Sequence, residues 1–272
     1  MCITALKANL VNTYIGVWDI NHPTFGYRHV LAYQNTPKNL AATPNCMLLH
    51  IPTKQPLLPS DLLDTSNDPF FLEKMAQSAL PPNLSAVRGV KSAAPNFVLE
   101  MGIYHIALLN QVDHDSWLEA RSLIPVKKQP VIQEGFLEFY AKHFPSFALV
   151  ICCFNNRDAK KASPIMVHYT PQFPDVFHFP TIDSHGSIPR LDEEQTFHQI
   201  IITGSQQLKK KGNGFKYFDL SSVSKALRPF IPTIGAALDL NQTKGPNLDL
   251  LLEAQPVQSG GDAQFDFGLL GA

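Results

Sequence analysis

Charged residues are scarce in this sequence. Asp, Glu, Lys and Arg make up 17% of the 272 residues, below the roughly 25% of an average soluble domain. Fewer charges are left to solvate the surface, which allows a contact surface or association into a homo-oligomer. Alternatively, Asn, Gln, Ser and Thr solvate the surface instead. The net charge is −1, so no overall field attracts polyanions, and we expect neither nucleic acid nor a membrane as a partner.

Long apolar runs are missing as well. A helix that crosses a membrane needs roughly 18 to 20 predominantly apolar residues in succession. The longest run here, residues 147–154, suits a buried strand instead. The first residues also lack the pattern of a secretory signal, in which a charged segment precedes an apolar one. The sequence therefore predicts a protein without a membrane span.

The chain contains only four cysteines, namely Cys2, Cys46, Cys152 and Cys153. Cys152 and Cys153 are adjacent within an apolar run. Neighbouring side chains of a strand point to opposite faces, so these two thiols cannot easily form a disulfide with each other. We expect reduced thiols and a cytoplasmic protein.

Glycine-rich turns between a strand and a helix are also absent, and helices do not alternate regularly with strands. Both features argue against a doubly wound nucleotide-binding fold. The sequence predicts an α+β fold with a mainly antiparallel sheet, or two packed sheets, and three to four helices. We expect one globular domain over residues 1–235. The pattern weakens afterwards, and glycines at 260 and 261 favour a loosely ordered C-terminal tail over residues 236–272.

Local patterns place the elements of this fold. Strand-like segments with high β-propensity occur at 3–10, 13–19, 28–34, 46–51, 97–109, 147–154, 165–169, 176–179, 198–203 and 215–218. Helices are expected after the Asp68-Pro69 pair, near Ser116, from Pro130 to His143 and over 222–227. The Asp residues before Ser116 are expected to cap the helix that follows them.

The strongest chemical signal is the concentration of histidines and carboxylates between His168 and His198. If the chain is extended around Ser184, Asp183 and His185 project from one face. Imidazole and carboxylate groups are usual ligands for zinc or iron. The candidate ligands of a divalent metal or a small molecule are His168, His178, Asp183, His185 and His198. The alternative is a turn shaped by Asp183, with histidines that are exposed or satisfied by the backbone.

A second candidate site is Cys2. Removal of Met1 would leave a cysteine whose own α-amino group could act as its base, as in N-terminal nucleophile hydrolases. The start of a strand at this position resembles that superfamily superficially. Arg28, Asp19 and Asn35 do not form the partner pattern of its amidase branch, and the alternative is a small apolar residue that begins a strand.

Three functions remain open from the sequence. The first is a pocket lined by residues 168–198 that binds a small ligand, a peptide or a divalent metal, with or without hydrolytic chemistry. The second is an amidohydrolase with Cys2 as nucleophile. The third is a non-catalytic protein-interaction module that meets a partner through its tail or its weakly charged surface.

Overall fold

The computed structural model describes residues 3–80, 99–212, 214–221, 223–262 and 264–270. Its strands are β1 (Ile3–Thr4), β2 (Ala8–His22), β3 (Gly26–Asn39), β4 (Asn45–Ile51), β5 (Leu62–Leu63), β6 (Leu99–Met101), β7 (Tyr104–Leu109), β8 (Ala148–Phe154), β9 (Ile165–Tyr169), β10 (Val176–Phe179), β11 (Ser184–His185), β12 (Glu194–Thr196), β13 (Gln199–Ser205), β14 (Lys216–Tyr217), β15 (Ile234–Asp239), β16 (Lys244–Pro246), β17 (Asp249–Glu253) and β18 (Phe265–Gly268). Its α-helices are α1 (Phe71–Ala79), α2 (His114–Ser122), α3 (Glu134–His143) and α4 (Ala254–Ser259). Most strand pairs are antiparallel, so the predicted α+β class is confirmed.

The largest sheet has seven strands in the order β14-β15-β13-β2-β3-β9-β5. Its centre is a long hairpin in which β2 pairs with β3 from Ala8 to His22, with one irregularity between Val11 and Tyr14. Gly26 follows the hairpin turn with φ +70°, a conformation that glycine adopts without steric cost. The hairpin is longer than its sequence pattern predicts, because backbone pairing continues through polar residues at both of its ends.

A second sheet has six strands in the order β11-β1-β4-β8-β7-β6. Alternate residues of its strands face different layers. On β8, Cys152 packs into the core shared with the seven-stranded sheet, whereas Cys153 packs against α2 and α3. This arrangement confirms that the two adjacent thiols point to opposite faces.

Four layers result from this packing. Helices α2 and α3 cover the outer face of the six-stranded sheet, and the two sheets enclose the largest core cluster between them. Helix α1 covers the opposite face of the seven-stranded sheet, where Phe71, Leu72 and Met75 contact the core around Trp18. Three of the four α-helices thus stand where the sequence predicts them. Asp113 caps α2 by accepting a hydrogen bond from the Ser116 backbone N–H at 2.7 Å.

The segment after Gly235 departs from the expected loose tail. Its described residues add to one large sheet through β15, and its strands β17 and β18 form a three-stranded sheet with β10. Leu250, Leu252 and Val257 are buried in the main core. The apolar residues of β17 therefore add side chains to the core. Their burial offsets the conformational entropy that is lost when this segment becomes ordered. How the chain divides into domains stays a prediction.

One predicted helix is different in the structure. Over 222–227 the described residues form turns, followed by a short 3-10 helix at Arg228–Phe230. Pro229 has no backbone N–H, so an α-helix over 222–227 could not continue its hydrogen bonding through this residue. Among the described helices, none is long and apolar enough to cross a membrane.

Candidate functional site

Two histidines and one aspartate meet in the interior of the protein. His50 lies on β4, His178 on β10 and Asp249 at the start of β17. The Nε2 atoms of His50 and His178 lie 2.6 Å and 2.8 Å from the same carboxylate oxygen, Oδ2 of Asp249. All three side chains are buried. We call this group the histidine–aspartate cluster.

Strand alternation brings these three residues together. On β4, Cys46 and Leu48 face the helices, so His50 at the same parity faces them too. On β10 and β17, Phe177 and Leu250 face the core between the large sheets, which turns His178 and Asp249 to the other side.

Aromatic rings surround the cluster. The ring of His50 lies 5.6 Å from Tyr140, 4.3 Å from Phe144 and 6.2 Å from Phe147, measured between centroids. The ring of His178 stands edge-on to Phe147 at 5.5 Å. The two imidazoles and the carboxylate are thereby enclosed in an environment that penalises unpaired charge.

The carboxylate of Asp249 is fully hydrogen-bonded. Its Oδ1 accepts the backbone N–H groups of Thr181 at 3.0 Å and Ile182 at 3.3 Å, and its Oδ2 faces the two imidazoles. Burial alone raises the pKa of Asp249, but the facing imidazoles outweigh burial and hold the pKa below its usual range. Burial lowers the pKa of His178, which favours its neutral form. The cluster thus holds a buried carboxylate between two backbone N–H groups and two imidazoles, and it joins β4, β10 and β17.

The cluster also has the composition of a metal site. Within the described part of the chain, it is the one group of three or more potential ligands whose atoms lie within 4.8 Å of one another. However, tetrahedral zinc at about 2.1 Å from each ligand would separate ligand atoms by about 3.4 Å. The observed 2.6 Å and 2.8 Å are hydrogen-bond lengths. The Nδ1 atoms of both histidines also lack a hydrogen-bond partner among the described residues, whereas metal-bound histidines usually have one.

The other candidate residues lie in separate environments. Asp183 Oδ1 and His185 Nε2 are 3.2 Å apart and partly exposed. His198 Nδ1 lies 3.2 Å from the Gln242 amide nitrogen.

His168 lies in a third environment. It is buried between the rings of Phe25 and Phe230, and its Nδ1 is 3.8 Å from Asp61 Oδ1. Burial lowers its pKa. The five predicted ligands therefore do not converge on one point, and only His178 belongs to the cluster. Cys2 lies outside the described residues.

Sequence reasoning missed His50 and Asp249, although each carries a readable signal. His50 is a polar residue within an apolar strand, and Asp249 lies within the run of leucines from 248 to 252. A lone polar residue in a buried strand requires a partner. Nothing in the local pattern states which distant residue that partner is.

A second feature is a group of exposed apolar side chains on α2 and in the connection between α2 and α3. Leu118, Leu123, Val126 and Val131 are 44% to 81% exposed, with Val126 the most exposed of them. Trp117 and Ala120 on the inner side of α2 are buried and hold this helix on the sheet. We call these four exposed residues the helical apolar surface.

One more exposed apolar side chain lies at the start of α3, and the sequence of the connection is basic. Ile188, itself exposed, packs directly against Gly135 at the start of α3. Residues 118–131 contain Arg121, Lys127 and Lys128 against the single acid Glu119, a net charge of +2 in a chain whose total is −1. Residues 118–131 are therefore both rich in exposed apolar side chains and locally basic.

Comparisons with known proteins give little further information. No family model and no curated protein matches the sequence. Among solved structures, the chain is similar to the crystal structure of baculovirus P35, with 12% sequence identity and a TM-score of 0.46. The similarity covers 93% of this chain and 99% of that chain. At this TM-score the similarity carries no argument about function.

Proposed function

We propose that the protein is a non-catalytic protein-binding module that contacts its partner through the helical apolar surface. The observation that carries this proposal is the exposure of four large apolar side chains within fourteen residues, Leu118, Leu123, Val126 and Val131. Single exposed apolar residues are ordinary, but a group of them marks an interaction site.

The energetics support a specific contact. Burying one Leu or Val side chain contributes roughly 1.5–3 kcal/mol. Four such side chains together offer several kcal/mol, of which part offsets the loss of translational and rotational freedom. The basic residues Arg121, Lys127 and Lys128 favour a partner that surrounds its own apolar side chains with carboxylates. The partner is thus a protein with an acidic and apolar contact face.

The test uses the full-length protein and a displayed library of small helical-bundle domains with randomised surfaces. We expect the selected binders to combine apolar residues with Asp or Glu. Binding should be lost in a Leu123→Asp/Val126→Asp double variant, because both substitutions place a carboxylate where an apolar contact forms. The matched control is Leu40→Asp, since Leu40 is 46% exposed and lies outside this surface. Selected binders that tolerate the double variant as well as the control would refute the proposal.

Association of the chain with itself is a separate outcome of the same variants. A second copy could cover the helical apolar surface, which is the homo-oligomer expected from the low charge count. In that case a sizing column would show a concentration-dependent dimer that the double variant abolishes and Leu40→Asp preserves. In that case the partner at this surface would be a second copy of the chain and not an acidic protein.

A second candidate function is binding of a divalent metal by His50, His178 and Asp249. The observation that favours it is the nitrogen and oxygen ligand set within 4.8 Å. The test is titration of zinc alone into the full-length protein. One zinc per chain, lost in an Asp249→Asn variant that remains folded and retained in Asp183→Ala, would support this function. Equal binding by both variants would exclude the cluster as the metal site.

The remaining predictions concern catalysis. Hydrolytic chemistry at residues 168–198 and a nucleophilic Cys2 both stay proposals without structural support in the described residues. Intact-mass measurement addresses the second directly, because a retained Met1 would block the α-amino group of Cys2.

A further inference from the structure

Among the described residues, no strand pairs with the outer edge of β15 over the four residues from Ala236 to Asp239. On its inner side, β15 pairs with β13 from Gly235 to Asp239. On its outer side, β14 pairs only with Ile234 and Gly235. In the described part of the chain, no strand continues this pairing from Ala236 to Asp239, and exposure increases along these residues.

The direction of the backbone groups follows from the register. Leu240 donates its N–H to Gln199 O, on the side of β13. Alternate residues of an antiparallel strand direct their N–H and C=O groups to the same side. The peptide groups of Ala237 and Asp239 therefore point away from β13, toward the open edge. There they form no backbone hydrogen bond with any described residue.

A cavity adjoins this edge. It has a volume of about 260 Å³ and is lined by Ile201, Thr203, Phe215, Ala236, Leu238 and Phe265, among others. Ile201 pairs with Leu238 and Thr203 pairs with Ala236, so these four side chains share one face of the sheet. The cavity is smaller than the roughly 300–1,000 Å³ of pockets for drug-sized ligands. Its size suits one or two amino-acid side chains.

We propose that this edge binds an extended peptide as an added strand of the seven-stranded sheet. The peptide exchanges backbone hydrogen bonds with Ala237 and Asp239 and inserts an apolar side chain into the cavity beside Ala236. In this mode of recognition, main-chain hydrogen bonds supply the affinity, and pockets for alternate side chains supply the specificity.

The sequence of the edge fits this use. Exposed edges are usually blunted by lysine, proline or a bulge, but the residues from 236 to 238 are Ala, Ala and Leu. An exposed carboxylate, Asp239, lies at one end of the edge, and a second carboxylate, Asp262, lines the cavity. Lys216 pairs with Gly235, four residues or roughly 13 Å along the strand from Asp239. The preferred peptide thus has a Lys or Arg near its apolar residue, at the Asp239 end.

The test is selection of displayed random linear heptapeptides on the full-length protein. We expect enrichment of β-prone peptides with an apolar residue and a basic residue. Ala237→Pro should weaken binding of an enriched peptide by about tenfold, which corresponds to the loss of one or two backbone hydrogen bonds. Proline is tolerated here because the Ala237 N–H points outward, so thermal unfolding should remain close to that of the unmodified protein.

Two further variants make the outcome decisive. Ala236→Phe fills the cavity from its own wall and should abolish binding of the same peptide. The Leu123→Asp/Val126→Asp variant should bind it normally, because it alters the other surface. Failure to enrich any peptide, or binding that survives both Ala237→Pro and Ala236→Phe, would overturn the proposal. Neither result would affect the proposed contact at the helical apolar surface.

Discussion

At the scale of single residues, the interior is organised by buried polar side chains that have few alternative hydrogen-bond partners. Asp249 has two backbone amides and two imidazoles around one carboxylate. Such a group is predictable from sequence only in part. A polar residue in an apolar strand shows that a partner exists, but the partner of Asp249 at His50 is 199 residues away. Only the tertiary fold selects it.

Removal of the Asp249 carboxylate should destabilise the protein strongly. Asp249→Ala leaves two imidazoles and two amides buried without their acceptor, which should lower the free energy of unfolding by about 3–5 kcal/mol. Asp183→Ala is the matched control, since its contact with His185 is partly exposed and should contribute only about 0–1 kcal/mol. Urea unfolding measures both. Similar decreases in the free energy of unfolding of the two variants would contradict the conclusion that Asp249 holds the cluster together.

His29 provides a pH-dependent term in stability. Burial lowers the pKa of His29 to about 3, whereas a histidine in the unfolded chain has a pKa of about 6.5. Between these two pH values, His29 is protonated in the unfolded chain and neutral in the folded protein. The contribution to stability is therefore complete above about pH 6.5 and decreases by about 1.4 kcal/mol per unit as the pH falls.

The corresponding variant is His29→Phe, which keeps a ring against Tyr169 and Phe177. Its free energy of unfolding should decrease less steeply between pH 6 and pH 4 than that of the unmodified protein. Urea unfolding across this range gives the two slopes. Equal slopes would show that His29 does not account for the difference in bound protons between the folded and unfolded states.

At the scale of elements, sequence patterns succeed where an element has one buried face. Helix α3 follows its apolar stripe, and β8 shows the alternation that separates Cys152 from Cys153. Patterns fail where pairing with a distant strand decides the conformation. The leucine-rich β17 is ordered because β10 and β18 pair with it on either side. No local signal reports those pairings.

The burial of the cysteines has a chemical consequence. Cys46, Cys152 and Cys153 are fully buried, and burial raises the pKa of the Cys153 thiol to about 12. In a Cys2→Ser variant, a thiol reagent should therefore react with no cysteine of the native protein at pH 8. The same variant in denaturant should release three reactive thiols. Rapid reaction without denaturant would contradict the packing of β4 and β8.

At the scale of the whole molecule, the fold class followed from the sequence but the sheet order did not. The seven-stranded sheet depends on a parallel pairing of β2 with β13, in which Thr13 meets Gln199. Strands that pair across so many residues of the chain produce no periodic pattern in a single sequence. The helical apolar surface could be predicted no better, because exposed and buried leucines look alike until the packing of α2 is known.

The affinity for a binder selected against the full-length protein tests the proposed function most directly. We expect the Leu123→Asp/Val126→Asp variant to bind at least about a hundredfold more weakly, which corresponds to roughly 2.7 kcal/mol for two lost apolar contacts. Leu40→Asp should bind as tightly as the unmodified protein. Equal affinities of all three proteins for the binder would contradict a partner contact at this surface.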